Sequence, residues 1–298
     1  PRRGASQALP ALPFESFPNR FSLRSLARQH NWINTRVCTG GVRELVWISK
    51  PDFRVHAMVE NEITIETPDG AMPTFEYYPE DGGPFPVVLY LMDAPSIRPA
   101  LKDMASRLAS AGYYVLMPFL YYRKSLYREF GSSDEDMHER RELMQSVTRE
   151  GALVDADALL AHVAGNPAAQ AGGKVGAVGF CMSGPLVLAL AQHRATRVGA
   201  IASVHGAWVV TDKEDSPHLQ LNNIEAEVYF AWADNDPTAT IEEMAIMDRA
   251  MDKAGINYRI DFMEGAQHGF APAGDRYQRE ASERHWERVH GMFRRQLG

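Results

Sequence analysis

Cysteine is scarce in this chain: only Cys38 and Cys181 occur in 298 residues, 143 positions apart. They form neither a CxxC pair nor a zinc spacing and suggest no disulfide framework, so a reducing cytoplasmic setting is expected. Long apolar runs are also missing. No stretch approaches roughly 18 uninterrupted apolar residues, and no apolar segment precedes a small-residue cleavage site near the N-terminus, which argues against membrane and secretory roles. Positive charge is not in excess either. The formal net charge is -7, whereas nucleic-acid binding relies on clustered Lys and Arg that release counterions from phosphates. With 45% apolar residues, the chain can bury the core of one large domain or two small ones.

The charge is unevenly spread. Residues 1–57 carry nine Lys or Arg against three acids, and the remaining 241 residues carry 22 against 35. The leading part, "PRRGASQALPALPFESFPNRFSLRSLARQHNW", has no sustained period and is Arg-rich and acid-poor, as transit peptides are. Two readings of residues 1–57 stand: an appendage or leader, and an integral N-terminal extension. From Met58, "MVENEITIETPDGAMPTF" reads as the start of a domain, with an alternating strand, a Pro-Asp-Gly turn and a second strand. Residues 58–298 are the expected main domain.

Within it, short apolar runs alternate with amphipathic stretches. "PVVLYLM" is a buried strand, "PALKDMASRLASAG" a helix with Pro at its start and Gly at its end, and "YYVLMPF" a strand again. The alternation continues through "REGALVDADALLAHVAG" (helix), "KVGAVGF" (strand), "MSGPLVLALAQH" (helix), "VGAIASVHG" and "AEVYFAWAD" (strands), "TIEEMAIMDRAMDKAG" (helix) and "NYRIDFME" (strand), and a closing helix from Asp275. This pattern predicts an α/β fold with a mostly parallel central sheet, helices on both faces and a hairpin of the first two strands at one edge. Reactive groups in such folds sit just past the C-terminal ends of strands. Those ends carry Asp93, Arg123, Cys181, His205, Asp236 and His268 in turn.

Cys181 lies in "GFCMSG", between a strand and a helix. A Gly-x-nucleophile-x-Gly corner strains its central residue and needs small neighbours, here Gly179 and Ser183, with Gly184 next. The helix start favours a thiolate and offers free N–H groups to an oxyanion. An unpaired cysteine can equally be a small buried hydrophobe. The residues that follow favour the reactive reading, because Asp236 in "WADNDPT" and His268 in "GAQHGF" give the order nucleophile, acid, histidine.

These motifs, together with "MDAPSIRPALKDMASRLASAGYYVLMPFLYYR", resemble the dienelactone hydrolase family of α/β-hydrolases from about Met58 to the end of the chain. The resemblance implies a Cys-His-Asp triad of Cys181, His268 and Asp236, with the backbone N–H groups of Met182 and Ala94 as oxyanion hole. It implies that Asp93 stands where the family has a Glu contacting the nucleophile. It also implies that Arg123 holds a substrate carboxylate. Two departures stand out: Ser183 replaces the second elbow glycine, and Pro272 stands where the archetype has a second carboxylate-binding arginine.

Other residues keep open alternatives. Asp234 shares its turn with Asp236. His205 is either a pocket residue or a histidine satisfied by backbone bonds, and His218 reads as a loop residue without metal spacing. Tyr121 and Tyr122 are pocket walls or core, and Tyr122 stands with Asp93 and Arg123 as a candidate substrate-binding or tuning residue. "SSDEDMHERRE" reads as a solvated charged face. The leading function is hydrolysis of small esters or lactones, with a negative charge on the substrate near the scissile bond. The others are a relative without hydrolase activity that uses Cys181 as a redox-sensitive or ligand-contacting thiol, and an esterase or acyltransferase acting on larger substrates. No cofactor or metal is called for, because a triad and an oxyanion hole suffice for acyl transfer.

Overall fold

The structure is a computed structural model that describes residues 57–131 and 133–298, together with the backbone of two earlier strands. Those strands, β1 (Trp32–Thr39) and β2 (Val42–Ser49), form an antiparallel pair with Thr39 opposite Val42. Sequence reading assigned no element to them, although the intervening Gly40-Gly41 is a hairpin signal. The rest of what is expected of residues 1–57 lies outside the described residues. By its contacts the chain divides into two units, Pro1–Val55 and His56–Gly298.

The second unit is built on an eight-stranded sheet. Its first strands, β3 (Met58–Thr67) and β4 (Gly70–Pro79), are antiparallel, with Thr67 opposite Gly70 across Pro68-Asp69. The Thr67 hydroxyl donates to the Gly70 carbonyl at 2.9 Å and accepts from the Asp69 N–H at 3.1 Å, which closes the turn. The parallel strands follow: β5 (Val87–Leu91), β6 (Tyr114–Pro118), β7 (Val175–Phe180), β8 (Val198–Val204), β9 (Glu227–Asn235) and β10 (Tyr258–Gln267). In space the order is β10-β9-β8-β7-β5-β6-β4-β3. Every residue of β5, β6, β7 and β8 is buried, which is why these strands read as continuous apolar runs without alternation.

Helices cover both faces. Helix α1 (Pro99–Ser110) buries Leu101, Met104, Ala105 and Leu108 against β4 and β6. The spacing puts all four on one side of the helix. Helix α2 (Asp134–Ser146) buries only Leu143, whereas α3 (Arg149–Ala164) and α4 (Gly184–His193) pack on each other, and α4 also packs on β7 and β8. Helix α5 (Ile241–Ala254) opens with a Thr240–Glu243 capping box and ends at Gly255 in the left-handed conformation. The closing helix α6 (Arg279–Gln296) is joined to α1 by a two-pronged Arg107–Glu283 pair of 2.8 and 2.7 Å.

The charged face of "SSDEDMHERRE" is carried by helix α2, an element the sequence pattern did not show. Ser133 caps it by accepting from the Asp136 N–H at 3.1 Å, and Asp134, Glu135 and Asp136 face the positive helix end. Its low apolar content concealed it. No helix among the described residues is long and apolar enough to cross a membrane.

Candidate active site

Strand β7 delivers its chain into a tight corner. Cys181 stands at φ 54, a region an L residue rarely occupies, and the turn leads through Cys181–Ser183 into α4. A Cβ on Gly179 would overlap the carbonyl of Ser183, and one on Gly184 would come within 2.7 Å of Gly206 Cα, so both positions require glycine. Pro185 sits in the first turn of α4, where a missing N–H costs little. Ser183 is fully buried and its hydroxyl donates to the Met92 carbonyl at 2.6 Å, so it is turned away from the corner's outer side.

His268 lies just after β10, and Gly269 at φ 86 turns the chain behind it. Its Nε2 is 3.0 Å from Cys181 Sγ and its Nδ1 is 2.6 Å from Asp236 Oδ2. An ionised carboxylate only accepts, so Nδ1 carries the hydrogen of the second contact. The other oxygen, Oδ1, accepts from the Thr238 N–H at 2.8 Å and from its hydroxyl at 2.6 Å. Asp234 is not the partner: its Oδ2 accepts from the Gly265 N–H at 2.9 Å. Burial disfavours the Asp236 charge, but the bonds from His268 and Thr238 outweigh it and hold the carboxyl below its ordinary value. Burial likewise disfavours a charged His268. The bonds to Asp236 and Cys181 prevail and raise its pKa to about 10.

Asp93, expected to face the thiol, is bound on both oxygens by the Arg98 guanidinium at 2.6 and 2.9 Å. Burial pushes this carboxyl up, with the Arg98 bonds opposing. Arg98 also donates to the carbonyl of Ser96 at 3.0 Å, which stiffens the loop carrying Ala94. Sequence reasoning overlooked Arg98, although its spacing of five from Asp93 was visible.

Two expectations need correction. Arg123 does not stand free for a substrate carboxylate: Asp155 takes its two terminal nitrogens at 2.7 and 3.1 Å, and Asp69 accepts from its Nε at 2.8 Å. Tyr122 belongs to the same network, with its hydroxyl on Asp155 at 2.8 Å and on Thr67 at 2.8 Å. These pairs join the β3–β4 turn to α3. Tyr121 is the tyrosine of the site. Its hydroxyl donates to the Ala94 carbonyl at 2.9 Å and lies 3.4 Å from Met182 Sδ, touching the two residues named for the oxyanion hole.

His205 is buried at φ 39, with its ring 5.2 Å from that of His268 and 5.3 Å from that of Phe270. Its N–H donates to Ala231, yet neither ring nitrogen has a partner among the described residues, so the reading of a fully satisfied histidine does not hold. Burial, then His268, lowers its pKa and keeps the ring neutral. His218 is tied to Ser216 at 2.7 Å. No group of three His, Cys, Asp or Glu is placed to hold a metal ion among the described residues.

Residues 72–297 match the model of the dienelactone hydrolase family. The chain belongs to that family. Among similar family proteins, the "Putative carboxymethylenebutenolidase" of Methylorubrum extorquens is 27% identical over 294 residues, covering 91% of this chain and 96% of its own. The protein of the same description from Synechocystis is 26% identical over 219 residues, covering 72% of this chain and 88% of its own. Among solved structures, that of the "Putative Dienelactone Hydrolase" of Klebsiella pneumoniae superposes with a TM-score of 0.71 at 23% identity, covering 80% of this chain and 98% of the other. That likeness shows the shared α/β-hydrolase fold. Family membership makes the protein one of a hydrolase family, with a small molecule as its substrate.

Proposed function

We propose that the protein is a carboxylic ester hydrolase acting on esters or lactones, with Cys181 as nucleophile, His268 as its base and Asp236 as the orienter of His268. The observation that carries this reading is the unbroken line from Cys181 Sγ through His268 Nε2 and Nδ1 to Asp236 Oδ2, with contacts of 3.0 and 2.6 Å, at a positive-φ strand-to-helix corner. His268 takes the thiol proton across the 3.0 Å contact between Cys181 Sγ and its Nε2. Sγ then attacks the ester carbonyl. The resulting oxyanion is held by the N–H groups of Met182 and Ala94, and collapse releases the alcohol with the proton that His268 returns. Water, deprotonated by His268, attacks the thioester and frees the acid.

Asp236 keeps one ring tautomer and stabilises the imidazolium, as the acid of a Ser-His-Asp triad does. Arg98 neutralises Asp93, so this carboxylate opposes a thiolate less than a bare one does. The test is stoichiometric alkylation of Cys181 with iodoacetamide while hydrolysis of p-nitrophenyl acetate is followed. Loss of activity in proportion to the label supports the nucleophile. Efficient labelling of a protein that turns over no ester would instead favour the thiol-only relative.

A further inference from the structure

A cleft of about 580 Å³ opens beside the elbow, and its walls point to a substrate class; the inference rests on the ester-hydrolase reading above. Met182 and Pro185 bring the cleft to the elbow, and its walls pair an apolar side with a polar one that includes Arg149, Glu150 and Asp215. Met182 comes from the elbow itself, Leu186 from α4, Met144 and Val147 from the junction of α2 and α3, and Trp208 from the loop after β8. Trp208 is 42% exposed and stands at φ 54, a conformation that a bulky residue keeps only when its surroundings hold it there. Its backbone N–H donates to the Thr238 carbonyl at 3.0 Å, and Thr238 also binds Asp236. The main chain that carries this indole is thereby fixed, and the half-exposed Trp208 lines the cleft.

The charges of the cleft are nearly balanced. Arg149 on its wall is paired with Asp215 at 2.5 Å, Glu150 stands beside it, and Lys213 is exposed at the rim. A volume of this size is that of a small-ligand site, ample for an alkyl chain or an aryl ring.

We infer that the protein selects neutral esters with an apolar arm of about six carbons or an aryl ring, which lies in this cleft against Trp208 and Met182. Each methylene moved from water onto those walls should raise kcat/KM about fourfold.

The experiment uses two series on the full chain, methyl alkanoates from acetate to hexanoate and alkyl acetates from methyl to hexyl, because either arm of an ester can enter the cleft. At least one series should climb about fourfold per methylene, and Trp208→Ala should flatten that climb. Binding of both series to Cys181→Ala, followed by the Trp208 indole resonance in NMR, gives a readout that needs no turnover. Length-dependent binding with no turnover of any ester would sink the hydrolase reading and leave the cleft assignment standing. Flat series from an active enzyme, or binding that ignores chain length, would overturn the assignment. So would a preference for short carboxylated esters abolished by Arg140→Met, since Arg140 lines a separate hollow of about 260 Å³ beside Ala94 and Pro95.

Discussion

The buried hydroxyl of Ser183 donates to the carbonyl oxygen of Met92 at 2.6 Å, which ties the elbow after β7 to the end of β5. Cys181 and Ala94 therefore belong to two loops joined beneath the site. Ser183→Ala leaves the Met92 carbonyl unpaired and should cost about 1 to 3 kcal/mol of stability, with ester hydrolysis retained. Cys181→Ala should abolish hydrolysis with the fold intact. Denaturant melts and p-nitrophenyl acetate assays on both variants check the pair, and the reverse pattern would make Ser183 the nucleophile.

His268 should titrate near 10 by NMR in the intact protein and distinctly lower in Cys181→Ala, because the sulfur is one of the groups that raise it. The raised folded value means that its contribution to stability is complete below about pH 6.5 and is lost as pH climbs toward 10. Asp236 behaves oppositely. Its folded value is depressed, so its contribution exists above the ordinary carboxylate range and is lost on acidification. Equal His268 titration in both proteins would contradict the close sulfur contact.

Tyr121→Phe should lower kcat/KM roughly tenfold, the scale of one lost hydrogen bond, by freeing the Ala94 loop and Met182. Tyr122→Phe, whose hydroxyl meets Asp155 and Thr67, should leave kcat/KM close to that of the intact protein. Steady-state kinetics on the two single variants decides between them.

Arg123→Met removes the partner of Asp155, whose side chain is only 4% exposed, and should cost about 3 kcal/mol of stability. Any fall in activity should be equal for carboxylated and neutral esters. A loss confined to carboxylated esters would restore Arg123 to the substrate.

Arg98→Met leaves Asp93 buried without its partner and should also destabilise by about 3 kcal/mol near neutrality. Burial raises the Asp93 pKa in the fold, so protonation relieves the cost and the deficit should shrink as the pH falls. A deficit independent of pH would mean that packing of the Arg98 stem, rather than its charge, is what the fold needs.

From Met58 onward, and apart from helix α2, the sequence by itself determined the order of strands and helices, because strands buried on both faces must be continuous apolar runs and covering helices must repeat apolar positions three and four apart. It also offered Cys181, Asp236 and His268 as candidates just past strand ends, and the fold brings these three into one line of contacts. Helix α2 escaped because a helix that buries only Leu143 shows almost no apolar period. Tertiary structure alone decided where each side chain at a corner points. In "YYR" the chain turns within three residues, so Tyr121 reaches Ala94 and Met182 while Tyr122 and Arg123 turn toward Asp155 on α3. The choice between Asp234 and Asp236 likewise depended on which carboxylate met His268, 32 residues onward, and which met the Gly265 N–H. Adjacent residues of a turn differ in direction by backbone angles that neither composition nor spacing records, and ion pairs form between whatever charges those directions bring together.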